Sequence, residues 1–345
     1  MDYRHLRALT DGTGMLQFSR LDTPDPASGY TVDDNARALM VALGMPGEER
    51  THYAQIFCGF LWQAQRPDGS WCNWKVGEEW RTEIDSQDSL GRAFLACTTA
   101  VGCGIPEVEV RARRMAARSL PAVRRVTAPR AMAYVVLGCA AGLGKAGLPG
   151  DHLLALGRDF CRRLVEMYHA SRGPGWRWFE TGLAYCNAVL PHALLAFSAR
   201  ARVARAPQAG LDALDFLADH LCSEGYLNVV GNRGWWRKPG PPARFDQQPV
   251  DAGSMALACL EAHQATGRES YLRLARLAYD WFQGRNVHGL PLINPATGGC
   301  YDALVPEGVN RNQGAESLLA WLLTRHALRD SDWQGGGCHE RCLAL

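Results

Sequence analysis

Lysine is nearly missing from this 345-residue chain: Lys75, Lys145 and Lys238 are the only three, and Arg carries the rest of the positive charge. Net charge is only +2, and no basic run is dense enough to mark a nucleic-acid footprint. No apolar run approaches the ~18 residues that a membrane span requires. The polar start Met1-Asp2-Tyr3-Arg4-His5 carries no targeting pattern. Cysteine occurs at twelve positions but without paired short-loop spacing. Cys97, Cys139, Cys161, Cys222 and Cys259 sit in apolar helical runs, where a thiol behaves as a small hydrophobe. HExxH, CxxC pairs, a P-loop and GxSxG are all absent. These absences predict a cytoplasmic protein with reduced thiols, no nucleic-acid or membrane partner, no metal and no cofactor. Cys338-His339-Glu340-Arg341-Cys342 holds thiols and an imidazole, but it follows Gly335-Gly336-Gly337 and reads as an adventitious cluster.

What is present is repetition. Six polar clusters each open a helix rich in Ala and Leu. They are Asp33-Asp34-Asn35-Ala36-Arg37, Asp88-Ser89-Leu90-Gly91-Arg92, Ala128-Pro129-Arg130-Ala131, Asn187-Ala188-Val189-Leu190-Pro191, Gln247-Gln248-Pro249-Val250-Asp251-Ala252 and Asn312-Gln313-Gly314-Ala315-Glu316. Between them lie amphipathic segments of period 3.6: Tyr53 to Gln65, Val108 to Val123, His152 to His169, Leu211 to Cys222 and Tyr271 to Gly284. Arg4 to Leu9 supplies a short sixth. The pattern predicts about twelve helices in outer–inner alternation, each pair an αα-hairpin. The unequal spacing of the starts argues against a short-repeat solenoid. The expected fold is all-α, an (α/α)6 toroid or six-hairpin barrel, with long loops or short hairpins on one rim. It occupies residues 1–329 as a single domain, and residues 330–345 form a loose tail.

A ring of inner helices would gather its N-termini at one mouth. Acidic side chains are favoured at helix starts for purely structural reasons, so Asp33, Asp34, Asp88 and Asn187 taken singly read as caps. Taken together, several carboxylates in one cavity are costly unless function retains them. Paired carboxylates are the parts needed for acid/base work on a glycosidic bond. Asp34 and Asp88 are the candidate acid and base, with Asp246, Asp251 or Glu316 as substitutes. Glu83, Asp85 and Glu180 are further carboxylates in the same loops. Trp and Tyr faces stack on pyranose rings while amides and Arg fix hydroxyls. The candidate binding residues are therefore Asp33, Arg37, Arg92, Trp74, Trp178, Asn187, Asn232, Arg233, Trp235, Trp236, Gln247, Gln248 and Asn312. His192 lies within an apolar inner helix, where a satisfied core histidine is the commoner reading.

Asp11-Gly12-Thr13-Gly14 to Phe18, Gly29 to Ala38, Gly231-Asn232-Arg233-Gly234-Trp235, Phe245 to Pro249 and Asn312 to Ser317 carry a family resemblance over nearly the whole chain. The chain resembles a bacterial group of six-hairpin glycosidase-like proteins, found alone or fused behind glycosyltransferase domains. The resemblance implies an (α/α)6 toroid and an oligosaccharide or glycan substrate. Glycoside hydrolysis is the leading expectation. One alternative is a non-catalytic glycan-binding module working with a glycosyltransferase partner. Another is a sugar epimerase or isomerase that uses His192 with a carboxylate, since epimerases of this architecture use His for proton transfer. There are two departures from the group. Gln87-Asp88-Ser89-Leu90-Gly91-Arg92 stands where the group has Glu-Asp-Ser-His-Gly-Arg, and Tyr185-Cys186-Asn187 stands for Tyr-Asp-Asn.

Overall fold

The computed structural model describes residues 1–334, and the chain divides at Phe160/Cys161 into two compact units. Among the described residues there are twelve α-helices. In the first unit, the outer helices α1 (Arg4–Leu9), α3 (Gly47–Ala64) and α5 (Pro106–Val123) alternate with the inner helices α2 (Val32–Leu43), α4 (Gln87–Ala100) and α6 (Pro129–Gly142). α7 (Gly150–Ser171) contains the division point. In the second unit, the inner helices α8 (Val189–Ser198), α10 (Pro249–Thr266) and α12 (Ala315–Gln334) alternate with the outer helices α9 (Ala206–Leu221) and α11 (Glu269–Phe282). The outer helices begin earlier than their apolar period indicates. α3 and α9 open on polar or Pro-containing turns, Gly47-Glu48-Glu49-Arg50 and Ala206-Pro207-Gln208, which carry no apolar signal.

Inner helices pack on inner helices, α2 on α4 and α4 on α6 in the first unit, α8 on α10 and α10 on α12 in the second. Their small residues sit where the helices meet. A Cβ on Gly91 would stand 2.9 Å from the Ala131 carbonyl oxygen and 3.0 Å from Tyr134 Cβ, so α4 and α6 meet there because Gly91 has no side chain. Gly253 plays the same part in the second unit, where an added Cβ would stand 3.0 Å from Thr324 Oγ1. α6 is buried all round from Arg130 to Gly142, as its uniformly apolar sequence demands.

Every described strand lies in a link from an outer helix to the next inner one. β1 (Ser19–Arg20), β2 (Thr23–Pro24) and β3 (Tyr30–Thr31) precede α2, and β4 (Trp74–Val76) and β5 (Glu79–Arg81) precede α4. β6 (Gly182–Leu183) precedes α8, β7 (Trp236–Arg237) precedes α10, and β8 (Ala303–Val305) and β9 (Gly308–Asn310) precede α12. All pairings are antiparallel: β1 with β2, β3 with β4 with β5, β6 with β7, and β8 with β9. These links carry most of the candidate residues. α12 runs to Gln334, past the tail boundary expected at 330. Residues 335–345, with the Cys338–Cys342 cluster, lie outside the described residues.

Candidate functional site

The first unit builds its polar cluster from the start of α2. Thr31 is the capping residue, and its hydroxyl oxygen accepts from the Asp34 N–H at 3.1 Å. Asp34 answers through its carboxylate, with one oxygen accepting from the Thr31 hydroxyl (2.7 Å) and the other from Arg37 (3.1 Å). The remaining first-turn donors are taken from outside the helix. Val32 N–H donates to the Asn73 carbonyl (2.9 Å), and Asp33 N–H to Asn73 Oδ1 (3.2 Å). Asn73 is itself held by Asp85, whose Oδ1 accepts from Asn73 N–H at 2.7 Å while Oδ2 accepts from Arg66 at 2.6 Å. The α2 terminus therefore has no spare N–H in its first turn, and it offers a carboxylate instead.

That carboxylate is Asp33. Its side chain is 22% exposed, against 6% for Asp34. Arg92 of α4 donates to Asp33 at 2.7 Å and, through its other terminal nitrogen, to the Tyr134 hydroxyl of α6 at 2.8 Å. The guanidinium also lies 4.4 Å from the Tyr134 ring centroid. Burial works against the Asp33 charge, but Arg92 and Arg37 outweigh it and hold the carboxyl below its ordinary value. Asp88 is buried in the first turn of α4, whose cap is Ser86, and Arg130 is buried in the first turn of α6. The capping role expected for Asp33, Asp34 and Asp88 falls to Thr31 and Ser86, which precede the carboxylates in their helices. α8, expected to be capped by Asn187, is entered from Ala188 without a side-chain cap. Gln87 accepts from the N–H groups of Thr127 and Ala128, both at 2.8 Å, at the entry to α6. The neutral amide oxygen of Gln87 thus serves both donors without a charge. Trp74 is half-buried in β4, directly paired with Thr31, and donates its indole N–H to the Ser28 carbonyl at 2.9 Å.

In the second unit, Asn187 is buried and ties down its own turn, accepting from Ala184 N–H (3.0 Å) and donating to the Ala184 carbonyl (2.9 Å). Cys186 before it has φ +45°, a conformation Asp or Asn tolerates better. Asn187 and Asp251, the buried carboxylate in the first turn of α10, line a small pocket with Leu217, Leu221, Val229, Val230 and Met255. His192 is buried in α8, its ring has no hydrogen-bond partner among the described residues, and burial lowers its pKa to about 4. Glu316 and Asn312 are half-buried at the start of α12, where Gly314 N–H donates to Asp302 at 2.7 Å.

The 231–248 loop divides its residues between structure and surface. Arg233 pairs with Asp246 at 2.8 Å, and Asn232 and Arg233 are exposed. Gln248 is half-buried at the start of α10 and Trp235 is half-buried with φ +57°. Gln247 is completely buried and works as a brace, donating to Asn228 (2.6 Å) and the Arg244 carbonyl (3.1 Å) and accepting from the Trp281 indole (3.2 Å). Trp178 is also completely buried, edge-on to Phe179, so a sugar ring has no access to its faces. Trp236 packs on Trp176 and Phe216 and donates to the Gly240 carbonyl. Glu83 is exposed, Asp85 is the brace described above, and Glu180 is half-buried.

Two members of the first cluster escaped the sequence reading. Asn73 lies 40 residues from the helix it caps, and Tyr134 sits in the middle of an apolar run. Among the described residues no group of three or more His, Cys, Asp or Glu could hold a metal ion, and no helix is long and apolar enough to cross a membrane.

No family model and no curated protein sequence matches the chain. Solved structures do match. A D-mannose isomerase aligns over 95% of this chain and 94% of its own, at 13% identity and TM-score 0.73. The cellobiose 2-epimerase of Spirochaeta thermophila DSM 6192 aligns over 96% and 93%, at 13% identity and TM-score 0.70. The cellulase Cel9M of C. cellulolyticum aligns over 92% and 87%, at 9% identity and TM-score 0.58. At these identities the likeness is one of fold, and the fold is that of an (α/α)6 toroid.

Proposed function

We propose that this chain is a carbohydrate-active enzyme that cleaves a glycosidic bond in an oligosaccharide, using carboxylates of the first unit. The observation that carries the reading is the Asp33–Arg92–Tyr134 chain, which joins three inner helices and holds one accessible carboxylate in its charged form. In this reading Asp33 is the carboxylate that meets the sugar as anion, and Asp88 on the neighbouring helix supplies the proton. Asp34, engaged with Thr31 and Arg37, holds the helix start on which Asp33 is presented. Trp74, whose strand pairs with Thr31 just before the same helix, is the aromatic residue assigned to stack on the sugar. The test is incubation of the purified protein with a panel of oligosaccharides, reading released reducing ends. Asp33→Asn and Asp88→Asn should each lower turnover by about 100-fold or more in a protein that still folds, Asp33→Asn also losing some stability with its ion pair to Arg92. Turnover untouched in both variants would overturn the assignment.

A second reading is sugar isomerisation or epimerisation in the second unit. It is favoured by His192, a buried neutral imidazole without a partner, and by the closer superposition on the mannose isomerase and the epimerase than on the cellulase. His192 would take a proton from the carbon beside a carbonyl, and Asp251 with Asn187 would hold hydroxyls. Incorporation of deuterium from D2O into a reducing sugar distinguishes this reaction from hydrolysis. Binding without either turnover would instead mark a glycan-binding module serving a glycosyltransferase.

A further inference from the structure

The link before α2 presents a large aromatic ring to water from a backbone that is held rigid. Phe18 is 53% exposed. Its N–H donates to the Ser28 hydroxyl (3.1 Å) and its carbonyl accepts from Asp25 N–H (3.0 Å), while the preceding Gln17 N–H donates to the Gly29 carbonyl (2.9 Å). Such a segment does not expose an aromatic ring through lack of order. Ser28 is also the anchor of Trp74, since its carbonyl takes the indole N–H. One residue therefore ties the Phe18 backbone and the Trp74 indole together from different links. Gly29 makes the arrangement fit. It adopts φ +70°, and an added Cβ would lie 2.3 Å from the Lys75 carbonyl oxygen and 3.0 Å from the Trp74 indole nitrogen. Inward from Trp74 the chain of contacts continues without a break, because Trp74 pairs with Thr31, Asn73 accepts from Asp33 N–H, and Asp33 meets Arg92.

The geometry points to an outer saccharide subsite formed by Phe18 and Trp74, which grips a sugar unit beyond the one at Asp33 and selects a chain of several units over a mono- or disaccharide. This inference rests on the hydrolase reading of the first unit and specifies its substrate class. The aromatic faces match the apolar C–H faces of pyranose rings, and the Arg20–Asp25 ion pair on the same hairpin (3.0 Å) supplies polar groups at its edge.

The experiment is calorimetric titration of wild type and Phe18→Ala with defined gluco- and manno-oligosaccharides of two and of six units. For the sugar that binds, the six-unit chain should bind wild type about five- to tenfold more tightly than the two-unit one. Phe18→Ala should abolish that increment while keeping two-unit affinity, and Phe18→Tyr should restore it. An increment that survives in Phe18→Ala, or is absent from wild type, overturns the subsite and leaves the hydrolase reading standing. Failure of wild type to bind either length in any series overturns both.

Discussion

Asp33 and Arg92 show how little room a single residue has at this site. Arg92 serves two partners with its two terminal nitrogens, so a lysine with one point charge cannot replace it. Arg92→Met should destabilise the protein by about 2 kcal/mol, less than the ~3–5 kcal/mol of a fully buried pair because Asp33 keeps some contact with water. Arg92→Lys should fall between, and urea denaturation reads both. Titration gives two further expectations. Arg92 and Arg37 depress the Asp33 carboxyl, so its contribution is complete above the unfolded value of about 4 and is lost as pH falls through the folded one. His192 behaves likewise in a higher window. Its folded pKa of about 4 lies below the ordinary 6.5, so the unfolded chain takes up the proton first as pH falls. His192 should account for about 3 kcal/mol of the stability lost between pH 6.5 and 4, beside a like share from His326, which burial also lowers to about 4. His192→Gln should make the slope shallower by its own share. Parallel pH profiles for the two proteins would contradict the burial of a neutral ring. None of this is visible in the residue letters. Asp33 and Asp34 are adjacent and chemically identical, and only the side chains brought to them make one a brace and the other a candidate for chemistry.

At the scale of the element, the helix starts are secured by residues of two kinds. Thr31 and Ser86 lie immediately before their helices and bond within three residues, so local sequence can reveal them. Thr31→Ala should cost about 1 kcal/mol in melting experiments. Asn73 reaches α2 from the β4 link, 40 residues away, and no local pattern announces it. Asn73→Ala strands the Asp33 N–H and should cost about 1–2 kcal/mol. The packing of the inner helices depends equally on small residues. Gly91→Ala sets a Cβ 2.9 Å from the Ala131 carbonyl, so α4 must move away from α6 and draw Arg92 from Tyr134. A loss of about 1–3 kcal/mol is expected, and a Gly91→Ala protein that melts with wild type would show the packing there to be loose.

For the molecule as a whole, the thiols report on the core. All ten described cysteines are free, and eight of them are buried. Burial pushes Cys58 and Cys161 up to about 12, and Cys97, Cys259 and Cys300 well above the ordinary thiol value. Alkylation of the native protein at pH 8, mapped by mass spectrometry, should therefore leave these five unmodified and reach the partly accessible Cys103 first. Their release should coincide with global unfolding. Early labelling of Cys97 or Cys259 would mean that the inner helices open far more readily than their packing allows.

The order and kind of the helices are properties of the sequence itself. A 3.6-residue apolar period, Gly- and Pro-marked links and small residues on inner faces are local signals, and each survives whatever the chain later contacts. The six-hairpin architecture follows from counting them. What tertiary structure alone decided is the work of each polar residue at the helix starts. Asp34 is spent on Thr31 and Arg37, Gln247 on Trp281 and Asn228, and Trp178 on the core, whereas Asp33 meets an arginine 59 residues away. Those assignments depend on which distant side chains arrive within about 3 Å, and hydrogen bonds act only at that range.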